Sequence, residues 1–239
     1  MPQLSIVVPA YNEETKLYAS LRIIVEYFRA QEESFEVIVV NDGSSDRTLQ
    51  IAEGASKEMQ EIRIIDYKEN RGKGYAVKKG VLDSSGEIVL FMDADLSTRP
   101  EEWPKFREAL NNGLDIAIGS RRASGAQIAK SQPMLREAMG KVFTYLSNKI
   151  LFSGQRISDI SCGFKAFKRE VAHELFAAQK LTDWSFDAEI LYIAKKHNYS
   201  IVEVPITWTD DPNTKVKPIR AAAVAFIGLL KIRINSNNK

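Results

Sequence analysis

The chain has 239 residues, 44% apolar and 27% charged, which is enough to bury a full core as one large domain. A formal net charge of +2 gives no electrostatic reason to expect nucleic acid as a partner. One cysteine, Cys162, excludes an intramolecular disulfide framework and a cysteine-built zinc site, and two histidines leave little for imidazole metal chemistry.

Met-Pro-Gln-Leu-Ser at the start runs straight into a strand, with no signal peptide expected. No apolar run approaches the roughly 20 residues that cross a bilayer; the longest, Ala221 to Leu230, is cut short by Lys231. A soluble or peripheral cytoplasmic protein is the expectation.

Leu4 to Pro9 reads as a first buried strand, followed by Ala10-Tyr-Asn-Glu-Glu and an amphipathic helix carrying Leu17, Leu21, Ile24, Val25 and Phe28. Glu36 to Asn41 is a second strand, ending in Asp42-Gly-Ser-Ser-Asp before a helix with Ile51, Ala52, Ala55 and Met59. Ile62 to Asp66 is a third, and Asn70-Arg-Gly-Lys-Gly leads into a helix through Ala76, Val77 and Val81. Ile88 to Met92 forms a fourth, ending in Asp93-Ala-Asp95; a helix around Trp103, Phe106 and Leu110 and a fifth strand, Ile116 to Ser120, follow. Apolar strands alternating with helices predict an α/β fold, a mostly parallel central sheet flanked by helices on both faces.

In the second half, Leu135, Met139, Val142, Phe143, Leu146 and Ile150 mark one broad apolar helix face beside Arg136, Lys141 and Lys149. A turn and short strand are expected after Gly154, a helix through Leu191 and Ala194, a late strand over Ile201 to Pro205 and an acidic-then-basic loop from Ile206. An apolar helix with Ile219, Phe226, Ile227 and Leu230 closes the chain. Without repeat or linker, residues 1–239 read as a single domain.

Ligands of parallel sheets bind outside the carboxyl ends of the strands. Here those ends carry Tyr11-Asn12-Glu13, Asp42-Gly43-Ser44, Asp93-Ala94-Asp95 and Gly119-Ser120-Arg121. Carboxylates one residue apart in extended backbone share a face, a pattern that suits a hard divalent cation. They also suit a plain acidic turn before the helix that Thr98-Arg-Pro-Glu-Glu would start. Asp46 fits a helix cap, and Asp42 either a cap or an acceptor for a nucleobase N–H. Lys73 is followed by Gly74, not Ser or Thr, so the phosphate-loop fingerprint is absent, as is a dinucleotide-binding glycine pattern.

Together, Pro9-Ala-Tyr-Asn-Glu-Glu, Asn41-Asp-Gly-Ser-Ser-Asp, Asn70-Arg-Gly-Lys-Gly and Met92-Asp-Ala-Asp closely resemble family 2 glycosyltransferases. The resemblance implies the A-type glycosyltransferase fold, with a Rossmann-like nucleotide-sugar-binding half over 1–122 and an acceptor half with amphipathic helices over 123–239. It puts Pro9, Tyr11, Glu13, Asp42 and Lys73 at the nucleotide. Asp93 and Asp95 become the element beside the diphosphate and its Mg²⁺ or Mn²⁺. Gly119-Ser-Arg, Asp159-x-x-Cys-Gly-Phe-Lys, Trp184-x-Phe-Asp-x-Glu and Glu203-Val-Pro-Ile-x-Trp resemble the polyprenyl-phosphate hexosyltransferase branch, closer to its dolichyl-phosphate glucosyltransferases than to its mannosyltransferases. Two departures stand out: Asn41 where the family often has Asp, and Pro212-Asn-Thr-Lys in place of a Gly-Ser-Lys-like loop. The N-terminal anchor of eukaryotic glucosyltransferase members is also expected to be missing.

The implied reaction moves a hexose, glucose from UDP-glucose, onto a polyprenyl monophosphate with inversion. GDP-mannose is the alternative donor, a hydroxyl the alternative acceptor, and a non-catalytic nucleotide-sugar binder the rival class. A phosphate monoester is already anionic at neutral pH and needs no general base. Asp93, Asp95, Asp187 and Arg121 form the expected catalytic set. Arg121, Arg136 and Lys215 are the candidates for acceptor or diphosphate oxygens; Asp187 would orient sugar hydroxyls, or act as base toward a hydroxyl acceptor. The helices at Leu135–Phe152 and Ile219–Ile234 would lie at the cytoplasmic face of the membrane, cover the core or form a homodimer.

Overall fold

The computed structural model describes residues 1–152, 156–211 and 218–237, without the side chains of 218–223, 236 and 237. The apolar runs become β1 (Leu4–Ala10), β2 (Phe35–Asp42), β3 (Ile62–Tyr67), β4 (Ile88–Met92) and β5 (Ile116–Ser120). Two short exposed or half-exposed strands, β6 (Gln127–Lys130) and β9 (Thr207–Thr209), bracket β7 (Phe164–Lys168) and β8 (Ile201–Pro205) in sequence. One sheet runs β3-β2-β1-β4-β7-β5-β8, and β6 pairs with β9 in a separate ladder. All pairings in the large sheet are parallel except those of β7, which lies antiparallel between β4 and β5.

Alternate residues of each strand feed opposite layers, the period-2 rule of extended chain. Leu4, Ile6, Val8, Val37, Val39, Leu90 and Ala117 pack under α1 (Leu17–Arg29), α2 (Thr48–Glu58) and α4 (Trp103–Asn111). Val7, Ile38, Val40, Val89, Phe91 and Ile118 pack under α3 (Lys73–Leu82), and under α6 (Arg169–Ala178) and α7 (Phe186–Lys196). The same layer takes in part of α5 (Met134–Ile150) and of α8 (Pro218–Asn237).

The strand order makes β1 the turning point, with β2 on one side and β4 on the other. Such a switch point is where open α/β sheets leave a crevice. β1 stays in register with β2 to Ala10↔Asn41 but with β4 only to Val7↔Phe91. Pro9 lies beyond that last β4 partner, where its missing N–H breaks no β1–β4 bond. The opening between the strand ends is therefore built in.

Candidate active site

Asp93 and Asp95 leave the end of β4 on a tight turn. The Leu96 amide donates to the Asp93 carbonyl at 3.2 Å, and the Ser97 amide to Asp95 Oδ1 at 2.9 Å. Leu96 takes φ +50, a left-handed conformation that a branched residue adopts at a cost of order 1–3 kcal/mol. Asp93 is further pinned by its own amide, which donates to the Gly163 carbonyl at 3.1 Å. A Cβ on Gly163 would stand 1.9 Å from Asp93 Oδ2, so only glycine lets the carboxylate lie there.

Lys73, at the start of α3, meets this pair: its Nζ is 2.6 Å from Asp93 Oδ1. Burial works against its charge, but Asp93, Asp187 and Asp95 outweigh burial and hold its pKa above the ordinary lysine value. Asp95 is reachable from solvent at the rim yet ringed by protein, and this desolvation, with the charge of Asp93, raises its pKa. A second pair lies deeper, Lys165 of β7 bonded to Asp187 of α7, with 2% and 3% of their side chains exposed. Lys165 also donates to the Cys162 carbonyl. Cys162 itself is buried, which pushes its thiol up to about 12 and leaves it inert as a nucleophile.

The carboxylate pair fits a divalent cation of the Mg²⁺ or Mn²⁺ kind. Two carboxylates sit together, burial and the charge of Asp93 helping to raise the pKa of Asp95, and the described residues hold no cluster of three or more metal-ligating groups. Such ions commonly take one or two carboxylates from protein and the rest from substrate phosphates and water.

At the other side of β1, the loops after β1 and β2 are zipped together. The Asn12 amide donates to Ser44 Oγ, the Ser45 amide to Asn12 Oδ1 and the Glu13 amide to Thr48 Oγ1, at 2.9, 2.8 and 2.7 Å. Asp46, one residue before the Arg47 cap position of α2, accepts the Thr48 amide at 3.0 Å. Tyr11 is exposed, Pro9 and Glu13 half-buried. Asp42 is spent on the next loop: it accepts the Arg71 and Gly72 amides at 2.8 and 3.0 Å and the Asn70 side-chain amide at 2.9 Å. Its carboxylate thus organises the segment that delivers Lys73. Asn41 donates to Asp66 Oδ1 at 2.7 Å, so an amide here spares the two strands a pair of facing carboxylates. The first amides of α3 are taken by protein, Gly74 and Tyr75 donating to the Thr182 carbonyl, and form no phosphate cradle.

Arg121, at the end of β5, lays its guanidinium fork on Asp159 at 2.6 and 2.7 Å and stands 5.2 Å from the Trp208 ring centre. Burial would raise the pKa of Asp159, but Arg121 holds it below the usual carboxylate range. Glu203 fixes this loop from β8, accepting the Ser158 and Asp159 amides at 2.9 and 3.0 Å. Arg136 pairs with Asp210 at 2.9 Å, and Lys215 lies outside the described residues. Asp93, Asp95, Lys73 and Asp187 thus form one electrostatic cluster, which the charge of Asp93 extends to Arg121, while Arg121 and Arg136 each pair with a buried carboxylate, Asp159 and Asp210. Gly163 and Lys165 emerge as site residues only here. A lysine inside the apolar run Phe-Lys-Ala-Phe is the sequence signal for the second, since buried lysines are rare unless paired.

Comparison with known proteins agrees with this geometry. The family model described as Glycosyl transferase family 2 matches residues 5–176. A dolichyl-phosphate beta-glucosyltransferase of Trichomonas vaginalis is 38% identical over 95% of this chain and 70% of its own length. That of Homo sapiens is 34% identical over 97% of this chain and 75% of its own. A crystal structure of glucosyl-3-phosphoglycerate synthase from Mycobacterium tuberculosis, with Mn²⁺, UDP and glucosyl-3-phosphoglycerate, superposes with a TM-score of 0.73. It covers 97% of this chain and 80% of that one at 18% identity, a likeness of fold. A mixed sheet with its crevice at the β1/β4 switch point, the Asp-x-Asp turn beside it and these relatives all agree: the chain is a nucleotide-sugar hexosyltransferase with the A-type fold and belongs to glycosyl transferase family 2.

Proposed function

We propose that the protein transfers glucose from UDP-glucose to a dolichyl-type polyprenyl monophosphate, with inversion at the anomeric carbon. The observation that carries this reading is the Asp93/Asp95 turn at the sheet's switch point, in a chain whose relatives along almost all its length are dolichyl-phosphate beta-glucosyltransferases. The fold-level neighbour solved with UDP and Mn²⁺ supports the same donor class and cation.

Asp93 and Asp95 are assigned to hold Mg²⁺ or Mn²⁺, which when bound supplies positive charge to the departing diphosphate. Pro9, Tyr11 and Glu13 are assigned to the nucleoside end, with Asp42 acting through the Asn70–Lys73 loop. Lys73 holds Asp93 in place and adds a fixed positive charge beside the leaving group. The acceptor phosphate carries its own anionic oxygen, so no group must remove a proton. The sealing of Asp187 against Lys165 supports a positioning role for that carboxylate. Arg121 and Arg136 are assigned to the acceptor's phosphate end, together with Lys215, so that residues 1–122 serve the donor and 123–239 the acceptor.

No helix of the described residues is long and apolar enough to cross a membrane. The exposed apolar side chains of α5 and α8 support peripheral attachment, assigned to the cytoplasmic face, where the acceptor's phosphate would be presented.

The test is extraction of lipid after incubation with Mn²⁺, dolichyl phosphate and either labelled UDP-glucose or labelled GDP-mannose. Label should enter the organic phase from UDP-glucose, and the Asp93→Ala, Asp95→Ala double variant should abolish transfer while keeping its melting temperature. Incorporation only from GDP-mannose would reverse the donor, and incorporation from neither would refute the transferase reading.

A further inference from the structure

Residues Thr182 to Phe186 form the turn into α7, and the Thr182 carbonyl lashes that turn to the first amides of α3 at 2.8 and 3.3 Å. Within it Ser185 and Phe186 are buried, Phe186 against Phe91. Trp184 between Asp183 and Ser185 stays 44% exposed, whereas the other two tryptophans, Trp103 and Trp208, are 1% and 7% exposed. A side chain of this size withheld from the core forfeits stabilisation that its two counterparts collect. Its position is nevertheless defined: Lys73 Nζ stands over the ring, 5.0 Å from its centre, and that same Nζ is 2.6 Å from Asp93 Oδ1. One side chain therefore separates an exposed indole from the carboxylate assigned to the metal and diphosphate.

We propose that Trp184 is the platform for the hexose of the donor, packing against the C–H face of the sugar ring next to the diphosphate. The assignment rests on the donor reading above and extends it to a specific subsite. The face of an aromatic ring is its negative side, which attracts the weakly positive C–H groups of a pyranose. It repels a phosphate dianion, so the acceptor's charged end is the wrong occupant. The nucleobase has its own expected contacts at Pro9, Tyr11 and Glu13 past the end of β1, whereas the Trp184 turn packs its Phe186 on Phe91 of β4. The hexose is the part of the donor that must adjoin the diphosphate on the β4 side.

Affinities of UDP and UDP-glucose, each with Mn²⁺, would be measured on the full chain and on Trp184→Ala and Trp184→Phe. UDP should bind all three alike, within about twofold. UDP-glucose should bind Trp184→Ala about tenfold more weakly and Trp184→Phe within about threefold of the parent, because a phenyl ring keeps most of the face. In the unmodified chain, UDP-glucose should shield tryptophan fluorescence from acrylamide and UDP should not, since Trp184 is the accessible indole. Equal weakening of both ligands would make Trp184 a support for Lys73 and overturn the platform, as would unchanged affinities and no shielding. Failure of the unmodified chain to bind UDP would bring down the donor reading, and the platform with it. UDP binding with no contribution from the indole would overturn the platform alone.

Discussion

Gly163 decides where Asp93 can be. Its φ is not in the left-handed region, so alanine is compatible with the backbone, and the conflict lies in the 1.9, 2.4 and 2.9 Å approaches to Asp93 Oδ2, Cγ and Oδ1. A methyl group there must turn the carboxylate away from the β4 turn while the strand pairing around it persists. Gly163→Ala should therefore raise the Mn²⁺ concentration for half-maximal transfer by about tenfold, close to 1.4 kcal/mol of lost carboxylate–cation interaction. Its melting temperature should stay within a few degrees of the parent. A Mn²⁺ titration of transfer beside a thermal melt checks both halves, and unchanged Mn²⁺ dependence would remove Asp93 from the cation site. The logic of the site at this scale is spatial economy: Gly163 makes room, and Lys73 fills the side of Asp93 that the room exposes.

At the scale of elements, the strands β1 to β5 are legible because each is an apolar run closed by a polar turn, and their ends give the cleft its chemistry. The position of β7 is not legible. Phe164–Lys168 is readable as a strand, but its antiparallel insertion between β4 and β5 is set by tertiary pairing such as Phe91↔Lys165 and Ile118↔Lys165. That insertion brings Gly163 to Asp93 and Lys165 to Asp187, so the residues missed from sequence are those whose role depends on it. The strands β6 and β9, with 4 and 3 residues, carry no apolar run to announce them, and β9 falls where a loop is expected. By contrast α6 is not among the expected elements although Val171, Ala172, Leu175 and Phe176 carry helical spacing. The end of the chain shows how an element is held. Gly228 of α8 lies so close to the start of α7 that a Cβ would meet Ser185 Oγ at 2.0 Å, and that buried hydroxyl has no hydrogen-bond partner among the described residues. Overpacking of this kind costs about 1–3 kcal/mol, so Gly228→Val should lower the melting temperature by about 3–10 °C. Ser185→Ala, which removes the orphaned hydroxyl, should leave it unchanged or slightly higher. The reverse order of the two melts would mean that α8 does not dock on α7 through this contact.

For the whole molecule, the telling feature is the apolar surface that α5 leaves outside the core. Three of its polar residues, Thr144, Ser147 and Asn148, face inward: Thr144 accepts from Arg122 at 2.9 Å and Asn148 exchanges bonds with Ile157 at 2.7 and 2.9 Å. Phe143, Leu146 and Ile150 pack against the core, whereas Met134, Leu135, Val142 and Tyr145 are exposed. α8 adds exposed Phe226, Ile227, Leu230 and Ile234, while Ala225, Leu229 and Ile232 are buried. A helix whose only task was to cover the core would not also leave large apolar side chains outside. An apolar surface this broad marks a membrane or protein contact, and exposed Lys141, Lys149, Lys231 and Arg233 on the same elements favour an anionic lipid surface. Each such cation contributes about 1 kcal/mol near that surface. The chain should therefore sediment with vesicles containing phosphatidylserine, less so as salt is raised, and weakly with neutral ones. The triple variant Leu135→Glu, Tyr145→Glu, Ile227→Glu should stay in the supernatant and lose transfer to long-chain dolichyl phosphate, yet bind UDP-glucose as the parent does. A parent that ignores vesicles but runs as a dimer, which the same variant splits into monomers, would assign the surface to a second copy instead. Loss of donor binding in the variant would mean that these helices support the cleft itself, since α5 holds Arg122 beside the Asp159 loop that carries Arg121.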